Sequence, residues 1–227
     1  MSYSLLVQAH FTFGALALAT FWIQMMAPKK GAWHRLVGRI YFAAMLLVVG
    51  TAVPMTVLLT RGEDLGAGLL LGFLATITIS SGVSAALAAR FGNRYLDQQR
   101  LAARISSLIL LAISILLLAM TPWGGALALG LGGLGTWAAV SDLRTKADAL
   151  IWRSWLARHI EGVLGTGIAV HAAFFAFGLR RLLGSSYTSL HFLLALAVPT
   201  VAGMVAASLL VKRFVPEAAK GLVAHET

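Results

Sequence analysis

Histidine carries most of the reactive potential of this chain. There are six, at positions 10, 34, 159, 171, 191 and 225, and there is no cysteine. The missing thiols exclude disulfides, thiolate nucleophiles, iron–sulfur ligation, covalent haem attachment and cysteine-bound zinc. Acids are equally scarce. Glu63, Asp64, Asp97, Asp142, Asp148, Glu217 and Glu226 fall between or beyond the apolar runs, and only Glu161 stands at the edge of one. Paired carboxylates for hydrolysis or for a proton pathway are therefore not to be expected. Five imidazoles, His10, His34, His159, His171 and His191, lie in or beside apolar runs, whereas His225 is read as solvated in the C-terminal stretch. Ionisable groups inside such runs are functional candidates, because hydrocarbon tolerates them poorly.

The elements that must position them are membrane spans. The 227 residues are 59% hydrophobic and 11% charged, with a mean hydropathy of +0.85. Soluble domains are about 25% charged, and disordered chains are more polar still. Seven runs, free of Asp, Glu, Lys and Arg apart from Glu161 in the sixth, have lengths near the roughly 17–25 residues a spanning helix needs. They cover residues 5–27, 40–60, 65–89, 105–121, 124–140, 159–179 and 188–211. The expected fold is all-α and polytopic, one transmembrane helical domain over residues 1–211 followed by a tail at 212–227. The fourth and fifth runs are short, and Pro122, Gly124 and Gly125 between them form a turn.

Charge sets the orientation. Fifteen of the 18 basic residues fall in alternate connections and the tail, leaving Arg61, Arg180 and Arg181 for the other side. Cations are retained on the cytoplasmic face, so the N-terminus is expected outside and the C-terminus inside a bacterial inner membrane. The net charge of +10 then reflects topology and anionic headgroups, and no nucleic-acid partner is implied. Trp22, Trp33, Trp137, Trp152 and Trp155 fall near the cytoplasmic boundaries and Trp123 near the opposite one, the level that indole rings favour. Residues 141–158 place Trp152, Trp155 and His159 at helical spacing, as in a helix lying on the interface.

Depth follows from about 1.5 Å of rise per residue. His10, His171 and His191 are expected toward the outer side, and His34 and His159 at the cytoplasmic boundary. Two layers of imidazoles are what bis-histidine ligation of b-type haem requires, and this plan resembles that of di-haem membrane cytochromes. Gly162, Gly165 and Gly167 would leave room for a macrocycle. Twelve residues separate His159 from His171, leaving their rings about 120° apart at 100° per residue, so one outer haem fits better than two. The outer trio of His10, His171 and His191 is alternatively a site for zinc, copper or iron. The structural explanation is packing, with each imidazole bonded to a carbonyl or hydroxyl of a neighbouring helix. Arg35 and Arg158 beside His34 and His159 suit headgroup contact, and Glu161 suits the N-terminus of the sixth span.

The run His34-Arg35-Leu36-Val37-Gly38-Arg39-Ile40-Tyr41 resembles the HRxxGRxY signature of an uncharacterised family of bacterial multi-pass proteins, predicted to lie in the membrane. His10 with Gly14, and Trp155-x-x-Arg158-His159 leading to Gly165 and Ala172-Ala173-Phe174, are similar as well. Relatives often carry Met four residues after that histidine, where this chain has Val163. The resemblance implies a compact helical membrane fold but no activity, and it carries over His10, His34, Arg35, Gly38, Arg39 and His159. Three functions are compatible with the sequence. The first is a redox protein passing electrons through haem b to a redox partner. The second is a small-solute or proton transporter, which the lack of acids and of inverted repeats disfavours. The third is a non-catalytic membrane subunit, in keeping with the Gly- and Ser-rich third and fifth spans.

Overall fold

The structure is a computed structural model and describes residues 3–29, 31–62, 65–92, 97–119, 132–133, 135–137, 139–140 and 155–215. Nearly all of these are helical, and no strand occurs among them. The helices whose bounds fall among the described residues are α1 (Tyr3–Met26), α2 (Ala32–Arg61), α3 (Leu65–Phe91), α4 (Asp97–Ala119), α5 (Trp155–Ala173), a short α6 (Leu179–Leu183) and α7 (Ser189–Phe214). A π-helical turn, Phe174–Gly178, joins α5 to α6, and a 3-10 turn, Gly184–Ser186, follows α6. Among the described residues, five helices are long and apolar enough to cross a membrane: α1, α2, α3, the stretch Trp155–Arg181 and α7. The apolar part of α4 is shorter, Arg104–Ala119. The expected fifth span lies mostly outside the described residues, as does most of the expected interfacial helix at 141–158. Residues 155–158 of that segment open α5.

Helix boundaries depart from the apolar runs in one informative way. The second run begins after Arg39, yet α2 begins at Ala32. His34, Arg35 and Arg39 are thus helical residues rather than loop residues. Charged side chains interrupt an apolar run without interrupting backbone hydrogen bonding, so the run marks a lipid-compatible stretch and not a helix end. Pro54 and Pro199 lie inside α2 and α7, as their positions within apolar runs predict. Gly92 (φ 60) and Gly184 (φ 53) follow α3 and α6 with the positive φ that glycine adopts without a Cβ clash.

The chain divides into two compact units, Met1–Thr78 with Gly167–Thr200, and Ile79–Thr166 with Val201–Thr227. In the first, α1 runs antiparallel to α2. Position rises along one as it falls along the other: His10 meets Val48 and Thr51, Phe21 meets Tyr41 and Gln24 meets Gly38. Tyr41 is completely buried, and a Cβ on Gly38 would stand 3.1 Å from the Gln24 amide nitrogen. The Gly38 and Tyr41 of the HRxxGRxY run are accordingly packing positions. Gly167 and Gly178 lie against Phe21 and Phe11, so this part of the Trp155–Arg181 stretch also runs antiparallel to α1.

In the second unit, the N-terminal part of α5 packs on the C-terminal part of α3. A Cβ on Gly162 would sit 2.6 Å from the Ser81 carbonyl oxygen and 2.8 Å from Ala85, and one on Gly165 would sit 2.6 Å from the Ser81 hydroxyl. Thr166 faces Gly82 from α5. Close approach of small residues replaces the hydrophobic drive that is absent between helices in lipid. Ser106 adds a hydroxyl bond from α4 to Ser80 on α3, at 3.2 Å.

Candidate functional site

His10 is held by α2. Its Nδ1 lies 3.1 Å from the Val48 carbonyl oxygen and 3.0 Å from the Thr51 hydroxyl. The Thr51 hydroxyl donates to the carbonyls of Leu47 and Val48 in its own helix, which leaves its oxygen free to accept. A bare Nδ1 would face a carbonyl lone pair, so the proton sits on Nδ1 and is shared between the two acceptors. Nε2 then carries the lone pair and meets no partner among the described residues. An imidazole anchored through one N–H to a backbone carbonyl, with the other nitrogen bare, is the usual arrangement of a metal-ligating histidine. Gly14 is one turn further along the same face of α1, and a Cβ there would meet nothing within 4 Å.

His171 is engaged at both nitrogens. Trp22 donates its indole N–H to Nε2 at 2.9 Å, and Nδ1 donates to the Gly167 carbonyl at 2.7 Å. The Phe21 ring stands edge-on to the imidazole at 5.2 Å. This pairing also fixes the level of His171. Trp22 is twelve residues beyond His10, roughly 18 Å along α1, so His10 and His171 do not share the common depth that residue counting assigns them. The count starts His171 from an assumed boundary at His159, whereas α5 begins at Trp155, and the register of His171 on α1 is set by the contact of Gly167 with Phe21.

His191 serves its own helix. Thr188 caps α7, with its carbonyl accepting from the Phe192 N–H. The Thr188 N–H donates back to His191 Nδ1 at 3.2 Å, and the Thr188 hydroxyl lies 2.7 Å from the same nitrogen. This is a capping box with histidine in the place usually taken by Glu or Gln. Because Nδ1 accepts, the proton of neutral His191 is on Nε2, and neither nitrogen is left as a ligand. Beside it, Tyr187 donates its hydroxyl to the Phe175 carbonyl at the π turn, at 3.3 Å. Burial raises the Tyr187 pKa above its ordinary value, with the charge of Arg180 pulling the other way.

His159 repeats the His10 pattern in the second unit. Its Nδ1 lies 3.1 Å from the Ala85 carbonyl of α3, which assigns the proton to Nδ1 and leaves Nε2 bare. Arg158 donates to the Gly92 carbonyl at 3.1 Å, so it secures the end of α3. His34 is half-buried in the first turn of α2, and Arg35 and Arg39, four residues apart on that helix, are exposed. Glu161 is half-buried and lies beyond the first turn of α5, which holds no acid; it does not take the expected helix-capping position. Lys29, read only as one of the basic connections, donates to the Gln24 and Met25 carbonyls and closes the C-terminus of α1. Partial burial holds its pKa below the ordinary lysine value.

The expected ligands therefore separate into two kinds. His10 and His159 each offer a bare Nε2; both nitrogens of His171 are hydrogen-bonded, and the lone pair of His191 is taken up by Thr188. Among the described residues no three His, Asp or Glu side chains come together that could hold a metal ion, so the trio of His10, His171 and His191 is not assembled there. Haem b needs an axial lone pair and an open face for the macrocycle. His10 offers the lone pair on Nε2, and nothing lies within 4 Å of where a Cβ on Gly14 would stand. His171 has no lone pair to spare, and the space expected at Gly162, Gly165 and Gly167 is filled by Ser81, Ala85 and Phe21. Trp22 and Thr51 were not foreseen as partners. The only sequence signal for Trp22 is antiparallel register, with bulky Phe21 opposite Gly167. The described residues define an all-helical protein in which five helices are long and apolar enough to cross a membrane, with histidines set inside them. Compared with known proteins, the chain matches no family model, no curated protein and no solved structure.

Proposed function

We propose that the protein is a seven-span bacterial inner-membrane protein, N-terminus outside and C-terminus cytoplasmic, that holds one b-type haem through His10 and serves electron transfer with a redox partner. The observation that carries this is the His10 imidazole, pinned through Nδ1 to Val48 and Thr51 with Nε2 bare. Gly14 supports it as the adjacent position without a side chain. A bound haem supplies one-electron redox chemistry within a span. The chain supplies the axial nitrogen, its orientation from α2, and apolar helices that exclude water. Trp22 and His171, bonded to each other, have a packing role, and so does the Thr188–His191 cap. Exposed Arg35 and Arg39, together with Lys29, lie at the end of the α1–α2 hairpin for which the distribution of basic residues favours the cytoplasmic side, where anionic headgroups would meet them.

The test is an absorption spectrum of detergent-purified protein prepared with ample haem, with metal analysis, on the natural chain and on His10→Ala and His171→Ala. The proposal expects a dithionite-responsive Soret band in the natural chain and in His171→Ala, and its loss in His10→Ala. A featureless spectrum of the natural chain, or a band surviving in His10→Ala, would overturn it.

A further inference from the structure

Arg181 stands out from the rest of the basic residues. Orientation accounts for fifteen of the 18, and works against cations on the side where Arg61, Arg180 and Arg181 fall. Two of these three are adjacent, and they close the membrane-crossing stretch Trp155–Arg181. Both are exposed. The Arg181 guanidinium lies over the Phe11 ring, 5.0 Å from its centroid. Phe11 is the neighbour of His10, with the two rings edge-on at 6.4 Å, and Gly178 lies against the same phenyl ring. The guanidinium is therefore held at the end of α1 that carries the bare imidazole, with Phe11 spanning the gap between them.

The manner of holding matters. A cation over a ring face is attracted by the ring quadrupole, and this attraction uses none of the five N–H donors of the guanidinium. None of those donors meets a partner among the described residues. A planar fork of free donors beside an apolar surface is the geometry that takes a carboxylate through two parallel bonds. Haem b has such groups: its two propionates hang from one edge of the macrocycle, one ring radius away from the iron.

We infer that Arg181 binds a carboxylate of the group held at His10, so that the ligand is a carboxylate-bearing macrocycle with its acidic edge toward the Arg180–Arg181 end of the helix. The inference rests on the assignment of His10 as the axial ligand. It adds that the acid groups of the ligand, and not iron coordination alone, determine which porphyrin is taken and which way it faces.

The experiment is a Soret titration of the full chain in detergent with haem b and with haem b dimethyl ester, in which the propionates cannot ionise. It is repeated on Arg181→Gln and Arg181→Lys. The natural chain is expected to prefer the free acid by at least about tenfold, as one charge-assisted bond allows. That ratio falls to near one in Arg181→Gln and is largely retained in Arg181→Lys. Equal affinity of the natural chain for acid and ester, or an undiminished preference in Arg181→Gln, overturns the role of Arg181 while leaving His10 as the ligand. Failure of both porphyrins to bind the natural chain removes the His10 assignment, and the inference with it.

Discussion

Adding one methyl group at Gly162 should destabilise the protein, and the size of the effect can be worked from the contacts it meets. A Cβ there would stand 2.6 Å from the Ser81 carbonyl oxygen and 2.8 Å from both the nitrogen and the Cβ of Ala85. Favourable carbon–oxygen contacts begin at about 3.3 Å, so α3 and α5 must separate by more than half an ångström. No rotamer change relieves this, since the obstructing atoms are backbone and Cβ. Overpacking of this kind costs about 1–3 kcal/mol. The same displacement stretches the His159–Ala85 bond from 3.1 Å toward the limit of hydrogen bonding, a further loss of about 1 kcal/mol. Alanine recovers roughly 0.5–1 kcal/mol over glycine inside a helix. The net expectation for Gly162→Ala is a destabilisation of about 1–3 kcal/mol. Gly14→Ala is the control, because nothing lies within 4 Å of a Cβ there, and it should be neutral or gain up to about 1 kcal/mol. Reversible unfolding in mixed micelles, followed by circular dichroism, measures both. A Gly162→Ala protein as stable as the natural chain would refute the packing of α5 on α3 described here.

Trp22→Phe removes the donor to His171 while keeping an aromatic ring. A double-mutant cycle with His171→Ala should give a coupling of about 0.5–1.5 kcal/mol; additive effects would contradict the indole–imidazole bond. Tyr187 yields a pH test. Its folded-state pKa is raised, chiefly by burial, so its contribution is fully present below the ordinary value of about 10 and is lost as pH rises through the folded value. The stability difference between the natural chain and Tyr187→Phe should shrink in that alkaline window, and an ultraviolet titration showing Tyr187 ionising at or below the ordinary value would count against it.

Much of the helical framework was legible in the apolar runs. Four of the seven coincide closely with α1, α3, Trp155–Arg181 and α7, because twenty-odd residues without a charge can satisfy their backbone in lipid only as helix. The start of α2 was not legible from such runs, since Arg35 and Arg39 end the apolar stretch but not the helix. Among the histidines, types and approximate surroundings could be read and partners could not. His191 follows Thr188 at capping-box spacing, a local signal that names its role in advance. His10 and His171 looked equivalent because depth was counted along each helix from assumed boundaries. Relative register between helices decides which residues share a level, and it is set by close approaches such as Phe21 on Gly167 and Gln24 on Gly38. Those are properties of pairs of helices, invisible in either one alone. The glycines near His159 were expected to leave room for a macrocycle, but Ser81 and Ala85 of α3 and Phe21 of α1 fill that space.

The central claim is that His10 carries its proton on Nδ1 and presents a bare Nε2, whereas His191 does the reverse. Nitrogen NMR of ring-labelled histidine, assigned by single substitutions, reads this directly in the haem-free protein. The account predicts a protonated Nδ1 and an unprotonated Nε2 for His10 and His159, the opposite for His191, and loss of the His10 Nε2 signal on adding ferric haem. A protonated Nε2 on His10, or a signal that haem leaves untouched, would contradict it.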